Sequence, residues 1–364
     1  VTIAEKWQHF LQAAVGYATT SYLSGKYKCE WEGDNLLVNG AVCPDAPLVA
    51  AIRELPLGHS LTEPDGTPIA LRINGVLPDY GLIPDWSRQH PSRVYDQPFT
   101  KVRRLTDLFL LNGPQIRADF AWLTAGRASQ PIADRHTVVY NPEQVFLEPG
   151  ARVRACILNA DTGPIYIGKD ADIQEGSIIR GPFAIGTESV VALGAKLRGD
   201  ITVGPYCKVG GEISNSVLFA HSNKGHEGYL GNSVLGEWCN LGADTNNSNL
   251  KNDYGTVKQW SYAHNDFVDT GRQFVGLVMG DHSKAGINTM FNTGTVVGVS
   301  ANVFGGDFPP RHVPSFTWGG AAGLEVYRLD KALATAERVL ARRNLPLTDT
   351  DRQILTHVFK LTHK

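Results

Sequence analysis

The sequence lacks a surplus of positive charge. Its 34 Lys and Arg stand against 36 Asp and Glu in 364 residues, so nothing in the composition would hold a nucleic-acid backbone or an anionic membrane, and neither partner is expected. It also lacks any run of 18 apolar residues and any cationic, apolar leader, which argues against a membrane-spanning helix and a secretion signal. Cysteine is sparse: Cys29, Cys43, Cys156, Cys207 and Cys239 are odd in number, scattered and without a C-x-x-C pair. That usage fits reduced thiols buried as small hydrophobes in a cytoplasmic protein better than a disulfide framework. The chain opens on Val1 rather than Met, which leaves room for residues upstream.

What the sequence does contain is a repeat. Aliphatic residues recur at every sixth position at Ile167, Ile173, Ile179, Ile185, Val191, Leu197, Val203 and Val209, with a small or polar residue usually following. The period returns at Leu235 and Leu241, and again at Met279, Ala285, Phe291, Val297 and Val303. A period of six suits neither a helix nor a simple strand. It suits short strands joined by tight turns, three to a triangular coil, with each inward aliphatic stacking on a counterpart about 18 residues later. Leu147 and Val153 begin the series slightly out of step, ILNADTGP acting as a two-residue insertion.

The flanks differ. TIAEKWQHFLQAAV (2–15) predicts an amphipathic helix, LLVNGAV (36–42) a buried strand, and PDAPLVAAIREL a helix with Pro44 near its start. LTEPDGTPIALRI predicts a reversal at Pro-Asp-Gly, and DLFLLNGPQIRADFAWL (107–123) helix in pieces, interrupted by Gly113 and Pro114. LEVYRLDKALATAERVLARR predicts a strong helix, and Thr348 or Thr350 can cap another over DRQILTHVFKL. The expected organisation is an α/β N-terminal domain (1–135), a parallel β-helix (136–312) and C-terminal helices (313–364) that cover the open last coil. Within this frame HSNKGHEGYLGNSVLGEWCNLGADTNNSNLK (221–251) lies between regular runs, where a turn can swell into a loop, and a second excursion follows almost at once. The run NNSN can also serve as an asparagine ladder on neighbouring coils.

GHEGYLGNSVLGEWCNLGADTNNSN resembles the acetyltransferase half of the bifunctional enzymes that make UDP-N-acetylglucosamine. Their corresponding segment reads H-x-x-Y-x-G-D, then N-I-G-A-G, then an Asn nine positions after the first. His226, Tyr229, Gly231, Asn240, Gly242, Ala243 and Asn249 fall on that pattern. The whole chain further resembles a group of bacterial proteins described as sugar nucleotidyltransferases of that type, through GPIYIGKDADIQEGSIIRGPFAIG, SNKGHEGYLGNSVLGEWCNLGADTNNSNLKN and MGDHSKAGINTMFNTGTVVGVSANVFG.

The resemblance implies a left-handed β-helix, a homotrimer, and acetyl transfer from acetyl-CoA to the amine of an amino-sugar 1-phosphate. That chemistry needs a base for the amine proton, donors for the thioester oxyanion, and cations or amides for the phosphate. On the family pattern His226 is the base, imidazole being suited to proton transfer near neutrality. Tyr229, Asn240, Asn249 and Lys251 contact sugar or phosphate, and Ala243, Ala285, Ile287 and Gly305 lie along the acetyl-CoA arm. Glu212 is a candidate to orient the base. The family's phosphate-binding Arg and Lys have no matched position: Lys196, Arg198 and Lys208 lie nearby among Gly210, Gly211 and Ser214, and Lys224 is a candidate to compensate.

A nucleotidyltransferase would need a Gly-rich loop with an Arg and a Lys for the triphosphate, and none precedes residue 135. Where the strand's metal-binding Asp would stand there is Ala41 or Val42, with Asp45 displaced, so Mg2+ is expected only if nucleotidyl transfer survives. Two other functions are open. One is a non-catalytic sugar-nucleotide-binding scaffold. The other is a zinc enzyme of the γ-class carbonic anhydrase type, using His221 and His226 with His264 or His282, since none lies between His136 and His221; such a zinc brings the pKa of bound water to about 7.

Overall fold

The computed structural model describes residues 1–77 and 80–363. They form two compact units, Val1–Arg103 with Thr348–His357, and Arg104–Leu347 with Val358–Lys364.

In the first unit α1 (Ile3–Leu11) is shorter than the pattern over 2–15 predicts. A capping box between Thr2 and Glu5 starts it, and Gln12 in the left-handed region ends it. Four strands, β1 (Asp34–Val38), β2 (His59–Thr62), β3 (Pro68–Asn74) and β4 (Ser92–Val94), form a sheet of order β1-β3-β2-β4. The Pro64-Asp65-Gly66 turn joins β2 and β3 as the antiparallel hairpin the sequence predicts. The strand expected over 36–42 ends at Val38, because the Asn39 side chain accepts from Ala41 N (3.0 Å) and turns the chain. α2 (Ala46–Arg53) follows as expected, capped by Asp45 with Pro44 just before the cap. Trp7, Val42, Leu48, Ile52, Leu61 and Ile69 make this unit's core, and α3 (Ile83–Gln89) completes its helices from this stretch.

The second unit is a parallel β-helix with three strands to a coil, stacked into faces of ten, six and nine strands. Register follows the predicted period. On the ten-stranded face Ile173 pairs with Val191 and Val191 with Val209; on the nine-stranded face Ile167, Ile185 and Val203 stand in line. All eight residues of the longest hexad run are at most 1% exposed. The corners carry a second column, in which Ser189, Cys207, Ser222, Cys239 and Ser283 point inward on successive coils. Each serine hydroxyl there donates to a carbonyl of the next coil (2.6–2.7 Å), and burial pushes the Cys207 and Cys239 thiols up to about 12. These cysteines are structural, as expected of small buried groups.

Two segments of the second unit also differ from expectation. The 107–123 segment is two helices, α4 (Asp107–Leu110) and α5 (Asn112–Thr124), with Gly113 and Pro114 inside the first turn of α5, where proline's missing N–H has no intrahelical partner to lose. Residues 323–326 are strand, pairing antiparallel with Thr317–Gly320, so on the ten-stranded face a strand and not a helix covers the last coil. The helix predicted there is confined to α6 (Leu329–Ala341); α7 (Asp349–Thr362) begins at a box between Thr348 and Asp351. No described helix is long and apolar enough to cross a membrane.

Ile185→Ala, opening a hole between Ile167 and Val203, is expected to lower the unfolding free energy by about 2–5 kcal/mol. The exposed Lys169→Ala leaves it unchanged; denaturant midpoints of both variants check this.

Candidate functional site

The stretch 221–251 does not swell at its start. Asn223–Lys224 is a strand of the ten-stranded face and Tyr229–Gly231 one of the six-stranded face. The coil has tightened instead: Val209 pairs with Lys224 and Val203 with Leu218, each 15 residues on (224 − 209; 218 − 203). This puts Lys224 into the inward column between Val209 and Leu241, where an aliphatic residue stands on most coils.

Lys224 is fully buried. Its ammonium donates to the carbonyl of His226 (2.5 Å) and to that of Glu227 (2.9 Å), and burial pushes it down to about 8. The side chain named as a compensating phosphate ligand therefore points into the coil and grips the turn carrying His226. From outside, the same turn lies against Gly211, whose φ is +67; a Cβ there would meet the carbonyls of His226 and Gly228 at 2.7 Å. His226 itself is exposed at this fixed corner.

Two residues past the paired strands, His226, Ala243, Ile287 and Gly305 occupy the same corner on successive coils. Asn288 N donates to Ala243 O (2.8 Å) there, and Ile287 is 70% exposed. Ala285 is placed differently, its side chain buried in the inward column.

Tyr229 and Asn249 meet on the six-stranded face. The Asn249 amide donates to the Tyr229 hydroxyl (3.0 Å) and to Asn232 Oδ1 (2.7 Å), and the Tyr229 hydroxyl shares a hydrogen bond with Ser214 (3.1 Å). The tyrosine ring lies across Gly231, where a Cβ would stand 2.1 Å from its hydroxyl. Asn246 and Asn247 form the ladder anticipated for NNSN. Asn246 Oδ1 accepts from Tyr229 N and Asn247 Oδ1 from Gly231 N, both 2.8 Å, while the Asn247 amide donates to Gly231 O (3.0 Å). Lys251 follows in the loop, its carbonyl accepting from Tyr254 N (3.1 Å). Glu212 does not reach the base; it pairs with Arg198 at 3.0 Å.

His226 and Asn240 both line a cavity of about 610 Å³ on the ten-stranded face, with Lys208, His221, Trp238, Lys284, Arg342 and Arg343. His221 and Trp238 on its wall belong to an aromatic stack that sequence reasoning missed. Tyr206, His221 and Trp238 lie parallel at 4.9 and 4.0 Å, with His282 beyond Trp238 at 6.3 Å. All four have φ between 60 and 62° and take the same corner on successive coils. Burial and the nearby Arg343 push His221 below the usual imidazole range. His221 is packed in this stack, and no three metal-ligating residues gather within this chain among the described residues. In the first unit Asp45 accepts from Leu48 N (2.9 Å) as the cap of α2; it does not fit a magnesium ligand, and no step is assigned to that metal.

The Lys224 geometry has a pH signature. Its folded-state value lies below the ordinary 10.5, so the folded chain binds fewer protons than the unfolded one between about pH 8 and 10.5, and stability rises with pH across that window. Thermal melts should show wild type gaining Tm relative to Lys224→Met as pH is raised through this window; parallel curves would count against the buried ammonium.

Residues 1–128 match the family model described as sugar nucleotidyl transferase. Over 153 residues, 42% of this chain, the sequence is 34% identical to a bifunctional sugar-1-phosphate nucleotidylyltransferase/acetyltransferase of Sulfurisphaera tokodaii, and over 122 residues, 34% of the chain, 30% identical to the bifunctional protein GlmU of Methanocaldococcus jannaschii. These matches span 38% and 28% of the relatives' own lengths, well under half. Among solved structures, the polySia specific acetyltransferase NeuO aligns with 59% of this chain and 97% of its own at 13% identity and a TM-score of 0.30. The chain is thus similar to sugar nucleotidyl transferases over residues 1–128 and to bifunctional nucleotidylyltransferase/acetyltransferases over part of its length.

Proposed function

We propose that the β-helix unit transfers an acetyl group from acetyl-CoA to the amine of an amino-sugar 1-phosphate, with His226 as general base. The observation that carries this reading is the presentation of His226: exposed, at a corner fixed from inside by Lys224, and on the rim of a cavity it shares with Asn240. The names of the relatives, which pair sugar-1-phosphate nucleotidylyl transfer with acetyl transfer, supply the reaction class.

In the proposed reaction the sugar amine attacks the thioester carbonyl carbon directly. A C–N bond forms, the C–S bond breaks, and the proton lost by the amine passes to His226 and then to the departing thiolate. The acetyl-CoA arm runs along the corner of Ala243, Ile287 and Gly305, with Ala285 supporting it from inside the coil. Tyr229 and Asn249, already oriented by Ser214 and Asn232, hold the sugar, with Asn240 and Lys251 as further contacts. The active form is a homotrimer. Outward on the six-stranded face, Val138, Ile157 and Ile178 stand in register and are 47, 37 and 47% exposed, an apolar ladder that a second copy would cover.

Thiol release from acetyl-CoA in the presence of glucosamine 1-phosphate tests the assignment. His226→Ala should lower the rate by about 100-fold or more while melting as wild type does, and Tyr229→Phe should raise KM for the sugar more than it lowers kcat. Full activity in a folded His226→Ala protein would sink the role given to this residue.

A further inference from the structure

Four cationic side chains converge on the cavity beside His226. Lys208 and Lys284 come from the outer column of the ten-stranded face, Arg342 and Arg343 from the turn just past α6. No Asp or Glu lines this cavity, and none of the four is in an ion pair among the described residues. Two of the heads are held in place with donors to spare: Arg343 donates to Tyr206 O (3.2 Å) and Lys284 to His282 O (3.0 Å). Like charges gathered without a counter-charge repel, and an anion seated among them removes that cost. The stacked His221 and Trp238 form a rigid wall on one side, and about 610 Å³ is room for a phosphorylated sugar or one end of a nucleotide.

We propose that this cavity binds a phosphomonoester dianion, with Arg342, Arg343 and Lys208 as its principal donors and Lys284 as a fixed charge at its floor. The guanidinium pair suits the shared oxygens of one phosphate. The proposal rests on the acetyl-transfer reading for the two sources of such a group, the sugar 1-phosphate and the 3′-phosphate of coenzyme A. Because the arginines lie in the turn that ends α6, outside the repeat, the segment after the solenoid becomes part of the site.

Isothermal titration of the full chain with glucosamine 1-phosphate, glucosamine, coenzyme A and dephospho-coenzyme A tests this, on wild type, on Arg342→Gln/Arg343→Gln and on Lys208→Gln. The expected result is that one phosphorylated ligand binds wild type more tightly than its dephosphorylated partner, and that the double variant weakens it about tenfold or more. Which pair shows the difference identifies the source. Equal binding of phosphorylated and dephosphorylated ligands to wild type, or unchanged affinity in the folded variants, overturns the site. Lys208 is exposed, so its variant carries the test if the double variant melts early. Thiol release measured on the same samples separates the two readings: arginine-dependent binding without acetyl transfer leaves this site standing, and acetyl transfer with arginine-independent binding removes it.

Discussion

The registry of one coil on the next is the constraint on which the second unit depends. A three-stranded coil cannot bury its aliphatic residues alone, so each inward side chain is dry only if a neighbour one coil away offers matching surface. The line from Ile173 through Val191 to Val209 meets that condition with aliphatics, and the corner column meets it with serine hydroxyls and thiols that satisfy the turn carbonyls. Once registry is fixed, every outward position has a fixed neighbour as well. This is how residues as far apart in sequence as His226 and Gly305, or Lys208 and Lys284, come to stand on single lines without forming a single strand.

Where registry is locally altered, chemistry collects. The coil between Val209 and Lys224 is three residues shorter than the regular 18, and the shortening brings a lysine into a position that an aliphatic residue takes on most coils. A buried ammonium is costly unless its donors are satisfied, and here the turn bearing His226 supplies the carbonyls. Core and site are coupled through that contact: the side chain that breaks the apolar column also stiffens the outer corner.

Much of this was legible in the sequence. The run from Ile167 to Val209 follows the period without fault, and the parallel coils, their inward residues and the change of character on either side follow from it. The family pattern drew attention to His226, Tyr229 and Asn249, which the structure sets at one corner and on one adjoining face. What could not be read has a common cause. Lys224 reads as a candidate phosphate ligand, and its inward place is hidden because the shortened coil breaks the six-residue count just before it. The aromatic stack escaped notice because Tyr206, His221, Trp238 and His282 are separated by 15, 17 and 44 residues, three unequal intervals (221 − 206; 238 − 221; 282 − 238). At the C-terminal end, LEVY carries enough helix-like pattern to hide a strand whose formation is decided by the unpaired edge of Thr317–Gly320.

The asparagines at 246 and 247 have a consequence for how such a scaffold can change over time. Their side-chain amides hydrogen-bond to the edge of Tyr229–Gly231 in place of the backbone rung that would come next, and they do so just before the chain departs into the hairpin of Lys258–Ser261 and Asp266–Asp269. On their other side the same two residues pair with Met290 and Phe291, so the coils continue across the excursion without a gap. The excursion is nonetheless anchored at its base, where Val257 and Val275 are buried against Val234, Val278 and Val296 of the coils, so the part free to change with little effect on the fold is its exposed tip, Tyr262 to Asn265.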